Sequence, residues 1–135
     1  MSNPSTANAH QQLIQRLLDN LPSGYTSSKV KLPNRHFKTP KSSKWLRATV
    51  INQTANNVQA GGLWKRYDGL FVIDLFYPLG KDVISQLTEA EVITNTFENT
   101  EFNGVNCLDV LIKDNQEDGS WYNVQIEISY YYEGK

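Results

Sequence analysis

The sequence predicts an α+β fold: one domain with a mainly antiparallel four-stranded sheet and two helices on one face of it, in the order α-β-β-α-β-β. Three observations lead to this prediction. Residues 66–82 contain a nearly continuous apolar run, residues 13–21 carry apolar residues at helical spacing, and residues 121–132 alternate strictly between apolar and polar. The first pattern is typical of a strand covered on both faces, and the last of a strand with one face in water.

The apolar run between Gly69 and Pro78 is the predicted centre of the sheet. Apolar and aromatic side chains occupy both parities, and Asp74 is the exception. A buried carboxylate needs a partner. Pro78 and Gly80 then end the strand, and a helical pattern follows at once.

The N-terminal helix is predicted over residues 9–20, because Leu13, Ile14, Leu17, Leu18 and Leu21 form one apolar stripe. Residues 1–8 are predicted to be a disordered tail. Residues 23–44 are rich in Ser, Pro, Thr and Lys and predict an extended connector, since its prolines interrupt regular structure.

Residues 45–51 predict the strand that neighbours the central one. Arg47 and Asp74 are then the two charges inside adjacent strands, and we predict that they form a structural pair on one face of the hairpin. Residues 52–66 are predicted to be a long mobile hairpin loop. Such loops usually have about 2–5 residues, so a longer polar one suggests a segment that becomes ordered on assembly.

The second helix is predicted over residues 82–97. Its expected buried face consists of Val83, Ile84, Leu87, Ala90, Thr94 and Phe97, broadened by Val92 and Ile93. Most of its solvent-facing side consists of Ser85, Gln86, Glu89 and Glu91. Residues 105–113 and 121–132 predict a final hairpin with one solvated face.

Charge is divided unevenly along the 135 residues. Residues 1–67 contain ten Lys/Arg and one acid, whereas residues 68–135 contain three Lys/Arg and thirteen acids. The two halves either neutralise each other within one fold, or a positive surface of one copy meets a negative surface of the next. The equally acidic second half argues against nucleic acid as the partner of the basic half.

No catalytic, cofactor-binding or metal-binding site is predicted. His10 and His36 lie in polar segments far from Cys107, and no known catalytic or nucleotide-binding motif occurs. The single cysteine fits a reducing compartment, and neither a secretory signal nor a membrane-spanning segment is expected. A small enzyme of unrecognised class stays open as a third possibility.

A series of short motifs resembles the tail-terminator, or tail-completion, proteins of long-tailed phages and prophages. The resemblance covers most of the chain and is densest between Pro33 and Phe97. It is carried by the order and spacing of Pro33-Asn34-Arg35-His36-Phe37, Pro40, Trp45-Leu46-Arg47-Ala48-Thr49-Val50, Gln59, Gly61-Gly62, Arg66, Gly69, Val72, Asp74, Phe76, Pro78 and Gly80.

The resemblance implies a structural subunit, without enzymatic activity, that forms a homo-oligomeric ring, a hexamer on the tail. The ring would cap the head-proximal end of the tail tube, stop tube polymerisation and contact the tail tube protein and the head-tail connector protein, with DNA passing through it. The implied location is the virion tail, and the bacterial host cytoplasm during assembly. The main alternative is a small nucleic-acid-binding module that uses the basic N-terminal half.

The resemblance also suggests candidates for the subunit interface, chosen as opposite charges. The basic candidates are Lys44, Arg47, Lys65 and Arg66, and the acidic counterparts are Glu89, Glu91, Glu98 and Glu101. Arg47 is also the predicted internal partner of Asp74, and these two roles compete.

Overall fold

The computed structural model describes residues 5–57, 64–80 and 83–134, and for residues 114–118 the backbone alone. Within these residues, two helices and six strands follow one another. They are α1 (Thr6–Asp19), β1 (Val30–Lys31), β2 (Trp45–Asn57), β3 (Lys65–Pro78), α2 (Val83–Phe97), β4 (Thr100–Phe102), β5 (Val105–Asp118) and β6 (Trp121–Gly134), with a 3-10 turn at Ser27–Lys29 before β1.

The predicted four-stranded, mainly antiparallel sheet with the element order α-β-β-α-β-β is wrong, because the described residues form a curled, mixed sheet of six strands in the order β1-β2-β3-β6-β5-β4. The four long strands are antiparallel to their neighbours. The two additional strands are β1, which runs parallel to β2, and β4. They have two and three residues, too few to produce the alternation by which a strand is recognised in a sequence.

Strand β3 is the centre of the sheet, as its sequence predicts. It pairs with β2 on one side and with β6 on the other, and Phe71, Ile73, Leu75 and Tyr77 contribute to the core beneath the helices. Val72, Asp74 and Phe76 are buried on the opposite face. Both faces are therefore covered, which explains why apolar residues occupy both parities.

The buried face of helix α2 overlaps the predicted one but is not identical to it. Ala90, Ile93 and Phe97 are buried as expected, whereas Gln86 is buried with them and Ile84 is 63% exposed. The Gln86 amide donates to the carbonyl oxygens of Leu75 at 3.3 Å and Tyr122 at 3.1 Å. Because these bonds compensate the burial of the amide, a residue that the sequence places in water joins the helix to β3 and β6.

The hairpin between β2 and β3 is longer, and its loop shorter, than the sequence predicts. Residues 52–57 belong to β2 and residues 65–66 to β3, although the register shifts between Asn52 and Thr54. The remaining part of the predicted loop, residues 58–63 with Gln59 and Gly61-Gly62, lies outside the described residues.

The first helix also begins earlier than predicted. Ser5 caps it by accepting a hydrogen bond from the Asn8 backbone N–H at 3.1 Å. Residues 1–4 of the predicted tail, and residues 81–82 before α2, lie outside the described residues. That residues 1–135 form a single domain stays a prediction.

Gly69 lies where the backbones of β2 and β3 and the ring of Tyr130 come closest. A Cβ atom at Gly69 would lie 2.6 Å from the carbonyl oxygen of Ile51 and 2.6 Å from the Tyr130 hydroxyl. That hydroxyl donates to the Asn52 side-chain oxygen at 3.2 Å. A glycine here allows Tyr130 of β6 to reach across β3 and hold β2 in place.

Candidate docking surfaces

Arg47 and Asp74 form the ion pair that the sequence predicts, on the face of the sheet opposite the helices. They are direct cross-strand neighbours, with Arg47 Nη2 3.0 Å from Asp74 Oδ2. Asp74 is 3% exposed, and its other oxygen accepts from the side-chain amides of Gln125 at 3.0 Å and Asn123 at 3.4 Å. The Arg47 guanidinium also lies over the Phe76 ring.

This arrangement supports the structural role of Arg47, while its role at a subunit interface stays a prediction. Its charge is matched by a buried carboxylate whose second oxygen is occupied by two amide donors. Withdrawing Arg47 toward another subunit would leave Asp74 buried without its counter-charge, which is costly. Arg47 is therefore a structural residue of the sheet.

Lys44 and Glu89, placed by the sequence on opposite sides of a subunit contact, instead pair within one chain. The Lys44 ammonium donates to Glu89 and to the carbonyl oxygen of Ser23, and it lies 4.6 Å from the centre of the Tyr25 ring. The Tyr77 hydroxyl also donates to Glu89. Burial, reinforced by the neighbouring Glu89 carboxylate, raises the pKa of Tyr25 above its usual value.

We call this group of side chains, Lys44, Glu89, Tyr25 and Tyr77, the Lys44 cluster. It lies beside a cavity of about 600 Å³ between the connector, the end of β3 and the start of α2. Lys29, Lys44, Ser42, Ser43 and Ser85 are among the residues that line it. Because Glu89 already matches the charge of Lys44, the cluster attaches the connector to α2 rather than offering a free cation.

The other basic candidates lie at the start of β3. Arg66 forms an ion pair with Asp68 at 3.0 Å and stacks 3.9 Å from the centre of the Tyr131 ring, so it too has partners in its own chain. Lys65 is exposed. Of the four basic candidates, Lys65 alone lacks an ion pair within the described part of the chain.

The remaining acidic candidates lie on the surface. Glu91 is exposed on α2, and Glu98 is exposed just after the end of that helix. Glu101, on β4, accepts a hydrogen bond from the Gly104 backbone N–H and is also exposed. These three stay candidate contacts, because their carboxylates are available to another molecule.

A group of exposed cations in the connector was not selected from the sequence. Lys31, Arg35, Lys38 and Lys41 are all exposed, and we call them the connector cations. They belong to a stretch, residues 20–64, that contains seven Lys/Arg and no acid. This acid-free stretch is the sequence signal that could have identified them.

The connector cations lie near one edge of the sheet, and an acidic region lies at the opposite edge. The connector, residues 23–44, contains edge strand β1 and leads into β2, and its Phe37 ring packs 5.3 Å from the Trp45 ring of β2. At the other edge, residues 98–118 contain six acids and one lysine and include β4 and β5. Opposite edges of one sheet thus carry opposite charge.

Cys107 and the two histidines are not brought together. Cys107 is 2% exposed, and burial raises the pKa of its thiol to about 12 despite the opposing effects of Arg16 and Thr100. His10 lies half-buried on α1, and His36 is exposed in the connector. Within the described ranges, no group of His, Cys, Asp and Glu could hold a metal ion, and no helix is long and apolar enough to cross a membrane.

Comparison with known proteins gives a family and a fold. A family model described as "Phage tail terminator protein" matches residues 9–130. A solved structure with 18% sequence identity covers 96% of this chain and is covered over 96% of its own length, with a TM-score of 0.70. At that identity the likeness shows the fold alone. No curated protein sequence matches significantly.

Proposed function

This chain belongs to the phage tail terminator family, and we propose that it forms a ring that caps the head-proximal end of the tail tube. The membership expected from the sequence is confirmed, and the protein is a structural component of the phage tail. In the proposed role, the ring stops the addition of tube subunits and provides the surface that the head connector contacts.

The observation that carries the proposal is the opposite charge of the two sheet edges. A surface that is basic on one side and acidic on the other does not match a copy of itself face to face. It matches the next copy head to tail, and such contacts close into rings when the rotation between copies permits. The charges would also steer the copies together before contact.

A tube-capping assay tests the proposal. Tube subunits from the same phage would be polymerised with this chain in excess, and tube lengths and end caps measured by electron microscopy. We expect the wild-type chain to stop growth at one end, with a ring visible there. Continued growth of uncapped tubes at saturating chain would overturn the proposed function.

Charge-reversed variants then test the edges. Lys31→Glu with Lys38→Glu should strongly weaken capping, because the four connector cations are then replaced by two cations and two carboxylates with no net charge. Adding Glu98→Lys and Asp109→Lys to the same chain should restore part of the capping, since the new lysines of one copy can pair with the new glutamates of the next. If this quadruple variant folds but does not recover capping, these charges do not form the contact between copies.

The alternative, nucleic-acid binding through the basic half, is supported by the exposure of the connector cations. A duplex-binding role predicts an affinity that falls steeply with salt, with a slope set by the number of phosphates contacted. Measuring the DNA affinity of each variant between low and physiological salt separates the two proposals. The quadruple variant should regain capping without regaining affinity for DNA.

A further inference from the structure

Both edges of the long antiparallel sheet contain backbone that pairs with no described residue on its outer side. At one edge, β1 pairs only with Leu46 and Arg47, which leaves residues 48–57 of β2 uncovered. At the other, β4 pairs with residues 105–107, and the Leu108 carbonyl oxygen accepts from the Asn99 backbone N–H at 3.1 Å. This leaves residues 109–118 of β5 uncovered. The N–H and C=O groups of such an edge are a template for a further strand.

The β2 edge has little of the protection that monomeric proteins give to exposed edges. Charged side chains, prolines, bulges or a covering element normally prevent edge pairing. Residues 48–57 contain no charged residue and no proline, and residues 51–57 are all exposed. The register shift at Asn52 is the single device present along the described part of this edge.

The two edge strands also run in directions that suit a cyclic arrangement. Because β2, β3, β6 and β5 are antiparallel in succession, β2 and β5 run in opposite directions. Rotation about an axis parallel to the strands does not change their direction. Strand β2 of one copy would therefore lie antiparallel to β5 of the next, and the alternation would continue from one subunit to another.

We propose that residues 48–57 of one copy pair with residues 109–118 of the next, so that backbone hydrogen bonds join neighbouring sheets around the ring. The proposal rests on the ring described under the proposed function and identifies the surfaces that form it. Each of the two stretches has ten residues, so their lengths match.

Charge and apolar exposure favour a second copy as the occupant of both edges. The β2 side carries the connector cations and the β5 side lies in the acidic region, so each edge is complementary to the other. The register Thr49, Val72, Glu127, Leu111 places Leu111 on the same face as Thr49 and Ile51. Ile51 is 42% and Leu111 55% exposed, and pairing the edges would bring these side chains together.

A cysteine cross-linking experiment on assembled rings tests the pairing. The variant Ile51→Cys with Leu111→Cys would be bound to tube ends and treated with a short bismaleimide. We expect a ladder of covalent oligomers that ends at the ring size. Each single variant alone should remain monomeric, and a mixture of the two single variants should give covalent dimers and nothing larger.

The control replaces Ile51→Cys by Val92→Cys, because Val92 is similarly exposed, at 43%, but lies on α2. This control, and the wild-type chain with its buried Cys107, should give no ladder. Capped tubes without a ladder from the Ile51/Leu111 variant would overturn the edge pairing and leave the proposed function intact. Cross-links to tube subunits in place of a ladder would overturn it as well.

Hydrogen exchange measures the backbone bonds directly. On ring formation, the outward-pointing edge amides of residues 48–57 and 109–118 should exchange with solvent more slowly by a factor of roughly ten or more. Exposed amides of the connector should keep their exchange rate. Unchanged exchange along both edges in capped tubes would show that the subunits meet without strand pairing.

Discussion

The centre and the edges of this sheet are built from strands of similar length that differ in what covers them. Strand β3 has 14 residues, is paired along both sides and is buried from Phe71 to Tyr77. Strand β2 has 13 residues, yet its second half is exposed and has one strand neighbour. The backbone of the central strand is paired along both sides, whereas residues 48–57 of β2 have a described strand partner on one side alone.

The largest expected difference between the two regions concerns apolar truncation. Phe71 is fully buried and packs edge to face on Phe97. Phe71→Ala should lower the free energy of unfolding by about 3–5 kcal/mol, because it removes apolar contacts and leaves a cavity. Ile51→Ala, on the exposed part of β2, should change it by less than about 0.5 kcal/mol. Urea denaturation checks both, and equal losses would contradict the distinction between centre and edge.

The same difference explains how much of the fold the sequence could reveal. The four long strands and both helices have apolar periods, and β3 is apolar on both parities, so each is predictable. Strands β1 and β4 have no period of their own and form because β2 and β5 offer a partner. The burial of Gln86 was unpredictable for a related reason: it depends on the carbonyl groups of Leu75 and Tyr122, which are distant in sequence.

A second prediction concerns the buried ion pair. Arg47→Ala should destabilise the fold by about 3 kcal/mol, since it leaves the nearly buried Asp74 carboxylate without its counter-charge. Asp74→Asn should cost less, because Arg47 is 42% exposed and its charge returns to water. Combining the two should recover part of the Arg47→Ala loss, measured by a double-mutant cycle. Strict additivity would show that the pair is not coupled.

The division of charge along the sequence leaves two interpretations open, neutralisation within one fold and contact between copies. Lys44, Arg47 and Arg66 each have an acidic partner in their own chain, which agrees with the first interpretation for these three cations. Contacts between copies stay a prediction. Which cations stay unpaired depends on side-chain reach and on strand register, and neither is visible in composition. Cross-strand placement of Arg47 and Asp74 was predictable because both interrupt apolar strands.

A third prediction concerns the pH dependence of stability and Cys107, the last residue of β5 that pairs with β4. The raised pKa of Cys107 means that the folded state holds the thiol proton more tightly than the unfolded state does, for which the pKa is 9.0. Stability should therefore be complete below pH 9 and fall between pH 9 and about 12, by up to about 1.4 kcal/mol per pH unit.

Cys107→Ala should reduce this slope without abolishing it, because burial also raises the pKa of Tyr130, to about 12. Thiol labelling gives an independent measurement. The native Cys107 should react only on unfolding, whereas a cysteine at the next position, made by Leu108→Cys in a Cys107→Ala background, should react at once because Leu108 is 38% exposed. Fast labelling of native Cys107 would contradict the burial.

The smallest effect on stability, but a clear effect on assembly, is expected from the exposed Lys31. Lys31→Ala removes a solvated charge at the edge and should change the free energy of unfolding by less than about 0.5 kcal/mol. Capping of tubes should nevertheless weaken at low salt, and the loss should shrink as salt screens the contact.

Lys44→Ala should behave in the opposite way, with about 1 kcal/mol of stability lost and capping nearly unchanged, because its partner Glu89 is in the same chain. If Lys44→Ala impaired capping more than Lys31→Ala in chains of equal stability, the contact between copies would lie at the Lys44 cluster and not along the strand edges.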